Sequence, residues 1–269
     1  MLIKTEAIVL KSMKYGDTSK IITFYTKEYG KLKGIAKGAR TAKNKFGSAL
    51  EPTTLSMLVL YKKEHRDLHL ISQCDAVDSF KFLAEDLDCM TTAFAVIEFV
   101  NQVTHHEECN PALFALLGET LDALNFSHKN YFSYLQAFRL RLASLFGYAP
   151  NVEVCSECGN PLTMGKGEKE FAFQVARGAV FCNRCCMPKE SSISIGDQSN
   201  AFISISTEAL EIVRRLLSAQ MNSLGNLEFD AQVGNQIDEL LRLYLRYHFE
   251  GLKPLKSIEL FHQYSKAAK

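Results

Sequence analysis

The first eighty residues alternate short apolar runs with turn-forming residues. Five segments rich in β-branched and aromatic residues each have the length of a strand, and glycine or polar clusters separate them. The predicted strands are Ile3–Ser12, Ile21–Thr26, Lys31–Ala39, Thr54–Tyr61 and Leu68–Cys74. Five short strands in such a short stretch are typical of a small β-barrel of the OB type.

Beyond residue 80 the apolar positions recur every three or four residues, which predicts amphipathic helices. The predicted helices are Met90–Val103, Pro111–Leu124, Tyr131–Phe146, Thr207–Gln220 and Val233–Phe249. A cysteine-containing segment interrupts them. We therefore expect an α+β multidomain protein in which an N-terminal OB-fold β-barrel is followed by an α-helical domain with an inserted zinc ribbon. The expected domains are residues 1–80 for the barrel, 81–150 and 191–269 for the two parts of the helical domain, and 151–190 for the ribbon.

Formal charge is distributed unevenly along the chain. The first 50 residues contain eleven lysine and arginine residues against three acidic residues, a net charge of +8, whereas the whole chain has a net charge of +1. A basic module joined to a mildly acidic remainder suggests that the module binds a polyanion. A basic face that is merely solvated is the alternative.

The sharpest candidate for a nucleic-acid site is the loop around residues 36–47. It combines cations, small residues and one aromatic ring beside the predicted strands. Binding of single strands by an OB barrel needs cations for the phosphates and rings for the bases. Phe24 is expected in the core instead, because it alternates with Tyr25 and one of the two must face inward. The candidate DNA-binding residues are Lys11, Lys14, Tyr15, Lys37, Arg40, Lys43, Lys45 and Phe46.

Four cysteines form two close pairs, Cys155 with Cys158 and Cys182 with Cys185, and 23 residues lie between the pairs. Each C-x2-C pair can direct two thiolates at one metal ion, so two pairs can complete a tetrahedral zinc site. Residues 171–176 and 179–181 read as two strands joined by a turn, which would bring the pairs together. We expect one structural Zn²⁺, because four sulfur ligands leave no position for a reactive water.

Disulfide bonds and a redox-active C-x-x-C are the alternatives for these cysteines. Nothing marks the chain as secreted, and a redox motif is expected at a strand-to-helix junction that this segment lacks. Cys186 lies next to Cys185 and leaves the fourth ligand open between the two. His105 and His106, near Cys109, are a weaker metal candidate, since adjacent residues on a helix end point about 100° apart.

The third predicted helix is apolar almost all round yet carries Arg139 and Arg141. Two residues that are two positions apart point about 200° apart on a helix, so the arginines cannot share a face. At least one must be partly buried, where it needs an anionic partner. An internal ion pair, for instance with Glu98, and a groove for the acidic tail of a partner protein are both open.

Neither a signal peptide nor a membrane helix is predicted. The apolar start of the chain carries Lys4 and Glu6, and no uncharged run approaches 18 residues. We expect a cytoplasmic protein. The glycine-rich nucleotide-binding signatures are absent, and no clustered acidic set for two metal ions can be read, so an enzyme is not indicated.

Several motifs together resemble the RecO family of bacterial recombination mediators. Each motif is short, but their order and spacing along nearly the whole chain are specific. They lie at residues 6–11, 15–18, 29–31 and 36–40 in the barrel, at 142–150 running into 155–159, and at 245–248 and 255–257 near the end.

The resemblance implies a non-enzymatic, nucleoid-associated protein of DNA repair and homologous recombination. Such a protein binds single- and double-stranded DNA, anneals complementary strands and, with RecR, helps RecA to load on DNA coated by the single-strand-binding protein SSB. The C-terminal tail of SSB would then be the acidic ligand of Arg139 or Arg141. The rival functions are a zinc-dependent hydrolase or nuclease, and a zinc-ribbon protein that binds RNA or the transcription machinery.

Overall fold

The computed structural model describes residues 1–63, 65–162, 170–186 and 201–260. The chain divides into two compact units. The first unit is formed by Met1–Tyr131 and Pro254–Lys269, and the second by Phe132–Lys253.

Five strands of the first unit close into a barrel. They are β1 (Leu2–Tyr15), β2 (Ser19–Thr26), β3 (Gly30–Ala36), β4 (Leu55–Tyr61) and β5 (Leu68–Asp78). The strand order is β1-β2-β3-β5-β4, and β4 returns to pair with β1. Only the β3 and β5 pair is parallel. The predicted OB barrel is confirmed, although β1 runs beyond its predicted end at Ser12 and β3 stops before its predicted end at Ala39.

The barrel core consists of inward-facing residues and part of a loop. Val9, Phe24 and Leu32 are buried in it, as expected from the alternation of the strands. The loop between β3 and β4 adds Phe46 and Leu50 to the same cluster. The loop therefore turns back into the barrel, and its charged residues are left exposed.

Two helices of the first unit pack beside the barrel. They are α1 (Leu87–Val103) and α2 (Pro111–Asn125), preceded by a 3-10 turn at Lys81–Glu85. The connection between the helices docks on β3, where the Glu107 N–H donates to the Lys31 carbonyl at 3.0 Å. Tyr25 is buried as well as Phe24, because its outward ring is covered near the start of α2 and its hydroxyl lies 3.4 Å from the Asn110 carbonyl.

The second unit combines helices with a small antiparallel sheet. Its elements are α3 (Tyr131–Leu145), β6 (Glu170–Gln174), β7 (Ala179–Phe181), β8 (Phe202–Ser206), α4 (Thr207–Ser218), a 3-10 turn at Met221–Asn226 and α5 (Ala231–His248). The sheet order is β7-β6-β8. The β6–β7 hairpin was predicted, but β8 was not. Ser206 ends β8 and caps α4 by accepting a hydrogen bond from the Ala209 N–H.

A buried arginine links α3 to α5 in the second unit. Arg139 is buried, and its Nη1 lies 3.1 Å from the Asp238 carboxylate. Gln136 contacts the same carboxylate and the same guanidinium. Burial lowers the pKa of Arg139, and the Asp238 charge opposes that shift. Arg139 thus forms an internal ion pair, which was one of the two possibilities that the sequence left open. Its partner is Asp238 and not Glu98.

Substitution of Gly30 tests how closely the α1–α2 connection packs against β3. Its φ is +63°, and an added Cβ would collide with the Glu108 carbonyl. We expect Gly30→Ala to lower the free energy of unfolding by about 2–4 kcal/mol through backbone strain and overpacking. Gly16 is the matched control, since its φ is +55° and nothing lies within 4 Å of an added Cβ. Gly16→Ala should cost only about 1 kcal/mol, and equal losses in urea unfolding would contradict the docking.

The Arg139–Asp238 pair should respond asymmetrically to mutation. The Arg139 side chain is 10% exposed and that of Asp238 49%. Asp238→Ala leaves a buried cation without its counter-charge and should cost about 3 kcal/mol, whereas Arg139→Met leaves a carboxylate that water can solvate and should cost about 1 kcal/mol. Chemical unfolding of both variants measures the difference. A greater loss of stability in Arg139→Met than in Asp238→Ala would show that the guanidinium is not the partner that depends on its counter-charge.

Candidate nucleic-acid interface and four-cysteine centre

The two cysteine pairs sit on tight turns joined through the β6–β7 hairpin. Cys155 begins one turn, in which the Gly159 N–H donates to its carbonyl at 2.9 Å, and Gly159 has a φ of +71°. Cys182 follows β7 directly and accepts from the Cys185 N–H at 3.0 Å. Pairing of β6 with β7 carries the second turn back to the first, as the spacing predicted.

The four sulfur atoms converge on one point. The Sγ atoms of Cys155, Cys158, Cys182 and Cys185 all lie within 4.8 Å of one another, and those of Cys158 and Cys182 are 3.9 Å apart. A tetrahedron with Zn–S bonds of about 2.3 Å has edges of about 3.8 Å. The arrangement therefore fits one tetrahedral ion with only small adjustments.

Electrostatics within the cluster favour a cation. Burial opposes ionisation of Cys155, but backbone N–H groups of the two turns, including that of Cys182 at 3.4 Å from its sulfur, lower its pKa to about 6. Hydrogen bonds with the Cys158 and Cys182 sulfurs raise the pKa of Cys185 to about 12. Four thiolates this close need a compensating positive charge, and a divalent ion supplies it.

The remaining cysteines lie outside this cluster. Cys186 is half-buried beside it but does not join the group of four. Burial raises the pKa of both Cys74 and Cys89 to about 11, which makes them inert core thiols. Across the part of the chain that the structure describes, the four-cysteine group is the only cluster of three or more potential metal ligands, so His106 and Cys109 belong to no such cluster.

One outer face of the barrel carries aligned rows of side chains. Lys11 on β1 is opposite Thr23 on β2, Thr23 is opposite Lys33 on β3, and Lys33 is opposite Leu68 on β5. Cross-strand neighbours point to the same side of a sheet. Two lysines therefore flank a threonine on one surface across three strands.

A second, more apolar row runs beside the first. Met13 is opposite Ile21, Ile21 is opposite Ile35, and Ile35 is opposite Leu70. Tyr15 lies two residues beyond Met13 on the same strand and is 53% exposed. The outer face of the barrel thus offers cations next to apolar and aromatic surface, the combination that single strands need.

A groove of about 440 Å³ opens in this face. Its floor includes Thr23 and Ile21, and the end of α1 and the α1–α2 connection add Asn101 and His106 to its wall. Lys31 also lines it, although this lysine is largely buried and donates to the Asn101 carbonyl at 2.8 Å. The groove lies within the roughly 300–1,000 Å³ range of sites for small ligands.

The cations around the groove influence one another. Burial lowers the pKa of Lys31, and the nearby Lys33 charge lowers it further. Burial also lowers the pKa of His106, with contributions from Lys33 and Lys31. Burial is the larger cause of both shifts, and the Asp67 charge opposes that of His106.

The predicted loop cations are not equivalent. Lys37 and Lys43 are exposed, as are Lys11 and Lys14 on β1. Arg40 donates from Nη1 to the Gly16 carbonyl at 3.0 Å, which ties the loop to the β1–β2 turn. The Lys45 ammonium donates to the Ser72 carbonyl at 2.7 Å. Arg40 and Lys45 therefore also support the loop.

Phe46 does not have the placement that a stacking residue needs. Its ring is only 4% exposed and belongs to the barrel core. The Lys45 ammonium lies 5.1 Å from the ring centroid. The sequence could not show that the loop turns inward here. Tyr15 is the ring from the predicted set that faces solvent.

Lys31 and Lys33 were not among the predicted site residues, although a signal for them existed. They flank Leu32, which is buried in the barrel core. Because residues alternate between the two faces of a strand, both lysines had to point outward together. The contribution of His106 to the same surface comes from packing and left no sequence signal.

Arg139 and Arg141, predicted to bind a partner, both have contacts within the second unit. Arg139 pairs with Asp238 as described above. Arg141 donates from Nε and Nη2 to the Leu216 carbonyl, each at 3.1 Å, and from Nη2 to the Ala219 carbonyl. These carbonyls lie at the C-terminal end of α4, where a cation is favoured. Arg141 is the less buried of the two arginines.

Within the described residues, no helix is both long and apolar enough to cross a membrane.

Family models and full-length relatives agree on what the chain is similar to. The model described as "Recombination protein O N terminal" matches residues 1–80, and "Recombination protein O C terminal" matches residues 84–259. A protein of Chloroherpeton thalassium named "DNA repair protein RecO" is 32% identical, with 98% of this chain and 99% of the relative covered. The protein of that name from Prosthecochloris aestuarii is 30% identical, with 98% of each covered. The chain therefore belongs to the RecO family of DNA repair proteins.

Proposed function

We propose that this DNA repair protein binds single- and double-stranded DNA through the outer face of its barrel and anneals complementary strands without a catalytic step. The observation that carries the proposal is the shared face of Lys11, Thr23 and Lys33, continued by the exposed loop cations Lys37 and Lys43. Among the residues that the structure describes, none of these four lysines forms an ion pair. Their charges are available for phosphates, which dominate affinity for nucleic acids.

The wider role follows from family membership. We infer that the chain acts with RecR to help RecA load on SSB-coated DNA, at the nucleoid. The acidic SSB tail remains the proposed ligand of Arg141 in preference to Arg139, because Arg139 is buried and pairs with Asp238. We propose four segments as domains: the barrel at residues 1–80, the two parts of the helical domain at 81–150 and 191–269, and the ribbon at 151–190.

We propose further that the four-cysteine cluster holds one structural Zn²⁺. The distances between the sulfur atoms and the fit to a tetrahedron support this assignment. The ion would fix the two turns of the ribbon to each other and would have no free coordination position for a water. A zinc-dependent hydrolase is therefore disfavoured as the rival function. An RNA-binding protein would use the same cations, so the RNA-binding and DNA-binding functions must be distinguished by experiment.

Salt dependence tests the barrel face. We expect the double variant Lys37→Ala, Lys43→Ala to bind single-stranded DNA more weakly and to reduce the slope of log affinity against log salt by about 0.7 for each lost phosphate contact. Fluorescence anisotropy with oligo(dT) at several salt concentrations measures the slope. The variant Lys4→Ala, Lys129→Ala is the control, since it removes the same charge from two other exposed positions.

An unchanged slope in the Lys37 and Lys43 variant, or an equal change in the control, would place the DNA site elsewhere. Duplex DNA and a structured RNA are measured in parallel at one salt concentration. Tighter binding of the RNA than of either DNA would favour the RNA-binding function.

The metal assignment predicts one zinc per chain in protein purified without chelators. Cys158→Ser should lose the ion and unfold the ribbon, because zinc binding supplies about 10–16 kcal/mol in zinc-finger peptides. Cys186→Ser is the matched control and should retain one zinc and the wild-type melting temperature. Elemental analysis and thermal unfolding give both readouts. Loss of zinc in Cys186→Ser but not in a Cys185→Ser variant would show that Cys186, and not Cys185, is the fourth ligand.

A further inference from the structure

The groove in the barrel face has two kinds of wall. Lys11 and Lys33 bring positive charge from one row, whereas Met13 and Ile21 of the next row, together with Leu68, bring apolar surface. A bare phosphate would be recognised by the cations alone. The apolar side requires a ligand with a flat or hydrophobic part next to its negative charge.

Two polar residues of the lining point to the same kind of ligand. Asn101 lines the groove, and its side-chain amide can both donate and accept hydrogen bonds. Asp67 also lines it and adds a carboxylate that accepts hydrogen bonds but repels phosphate. Exocyclic amino and ring N–H groups of a base can donate to Asp67, so these residues suit a base and the lysines suit its phosphates.

The α1–α2 connection closes one side of the groove. His106 pairs with Lys31 in an isolated bridge, and the Glu107 N–H donates to the Lys31 carbonyl at 3.0 Å. In a duplex each base is paired and stacked and could enter a pocket only by leaving the helix. A base of a single strand has no such restriction. A site for one base in this groove would therefore favour an unpaired nucleotide over a paired one.

We propose that this groove binds one unpaired nucleotide, with its base against Met13, Ile21 and Leu68 and its flanking phosphates on Lys11 and Lys33. The proposal rests on the proposed DNA-binding function of the barrel face and adds to it a site for a base. Asn101 and His106, which lie outside the barrel strands, become part of the DNA site. A single strand is then held by one captured base as well as by its backbone.

Removal of the apolar wall tests the proposal. Wild-type protein should bind oligo(dT) about tenfold more tightly than an oligomer of equal length composed of abasic sites, since contact with bases adds to contact with phosphates. In the double variant Met13→Ala, Leu68→Ala this ratio should fall to about two, while the salt slope is unchanged. Both positions are partly exposed, so the fold should tolerate the substitutions.

The matched control is Leu2→Ala, Tyr61→Ala. These residues are also exposed, and they face each other across β1 and β4. The control should keep the wild-type ratio. If the Met13 and Leu68 variant keeps it too while removal of Lys37 and Lys43 still reduces the salt slope, the barrel binds DNA but the base site is wrong. If removal of Lys37 and Lys43 has no effect, the proposed function itself fails.

Photocrosslinking locates the base directly. Oligo(dT) with one 5-iododeoxyuridine is irradiated with the full-length protein, and adducts are mapped by mass spectrometry. Adducts at Met13 or His106 support the base site, because both side chains line the groove and react with the excited base. Adducts only at exposed rings of the second unit, such as Tyr148 or Tyr247, would overturn it.

Discussion

Closure of the five-stranded barrel is the constraint on which the proposed DNA-binding surface depends. Because β1 pairs with both β2 and β4, the barrel is closed and its interior must be filled with apolar side chains. Val9, Phe24 and Leu32 occupy that interior, so Lys33, next to Leu32, faces outward. Lys11 would share the inward side of Val9 by alternation, but the register shift between the two residues turns it outward. The register then places Lys11 and Lys33 in one row. The charge pattern is a consequence of closing the barrel.

In the second unit, the cysteine-containing segment is held in place by a few specific contacts. Its sheet has only three short strands, and the turns that carry the cysteines lie outside these strands. The four cysteines converge at the end of the β6–β7 hairpin and provide the missing cross-link if they hold a metal ion. Arg214 of α4 also donates to the Val152 and Leu162 carbonyls, which flank the first cysteine pair. The ribbon is therefore attached to the helices by side chains as well as by the chain itself.

Local periodicity allowed the barrel strands, the helices and the cysteine centre to be predicted from the sequence to within a few residues. Apart from the missed strand β8, the failures concern contacts between distant segments. Phe46 was assigned to DNA because nothing local shows that its loop folds into the barrel. The partner of Arg139 is Asp238, 99 residues away, and no pattern connects the two. His106 reaches the groove beside Lys33 only because the α1–α2 connection docks on β3.

Annealing of complementary oligonucleotides coated with SSB, in the absence of ATP, tests most directly whether the barrel face performs the proposed function. Wild-type protein should anneal the strands. A variant in which Lys11, Lys33, Lys37 and Lys43 are all replaced by alanine should anneal them at least about tenfold more slowly while keeping the metal content and the melting temperature of the wild type, since each lost phosphate contact weakens binding of the strands. Annealing by this variant at the wild-type rate would contradict the account.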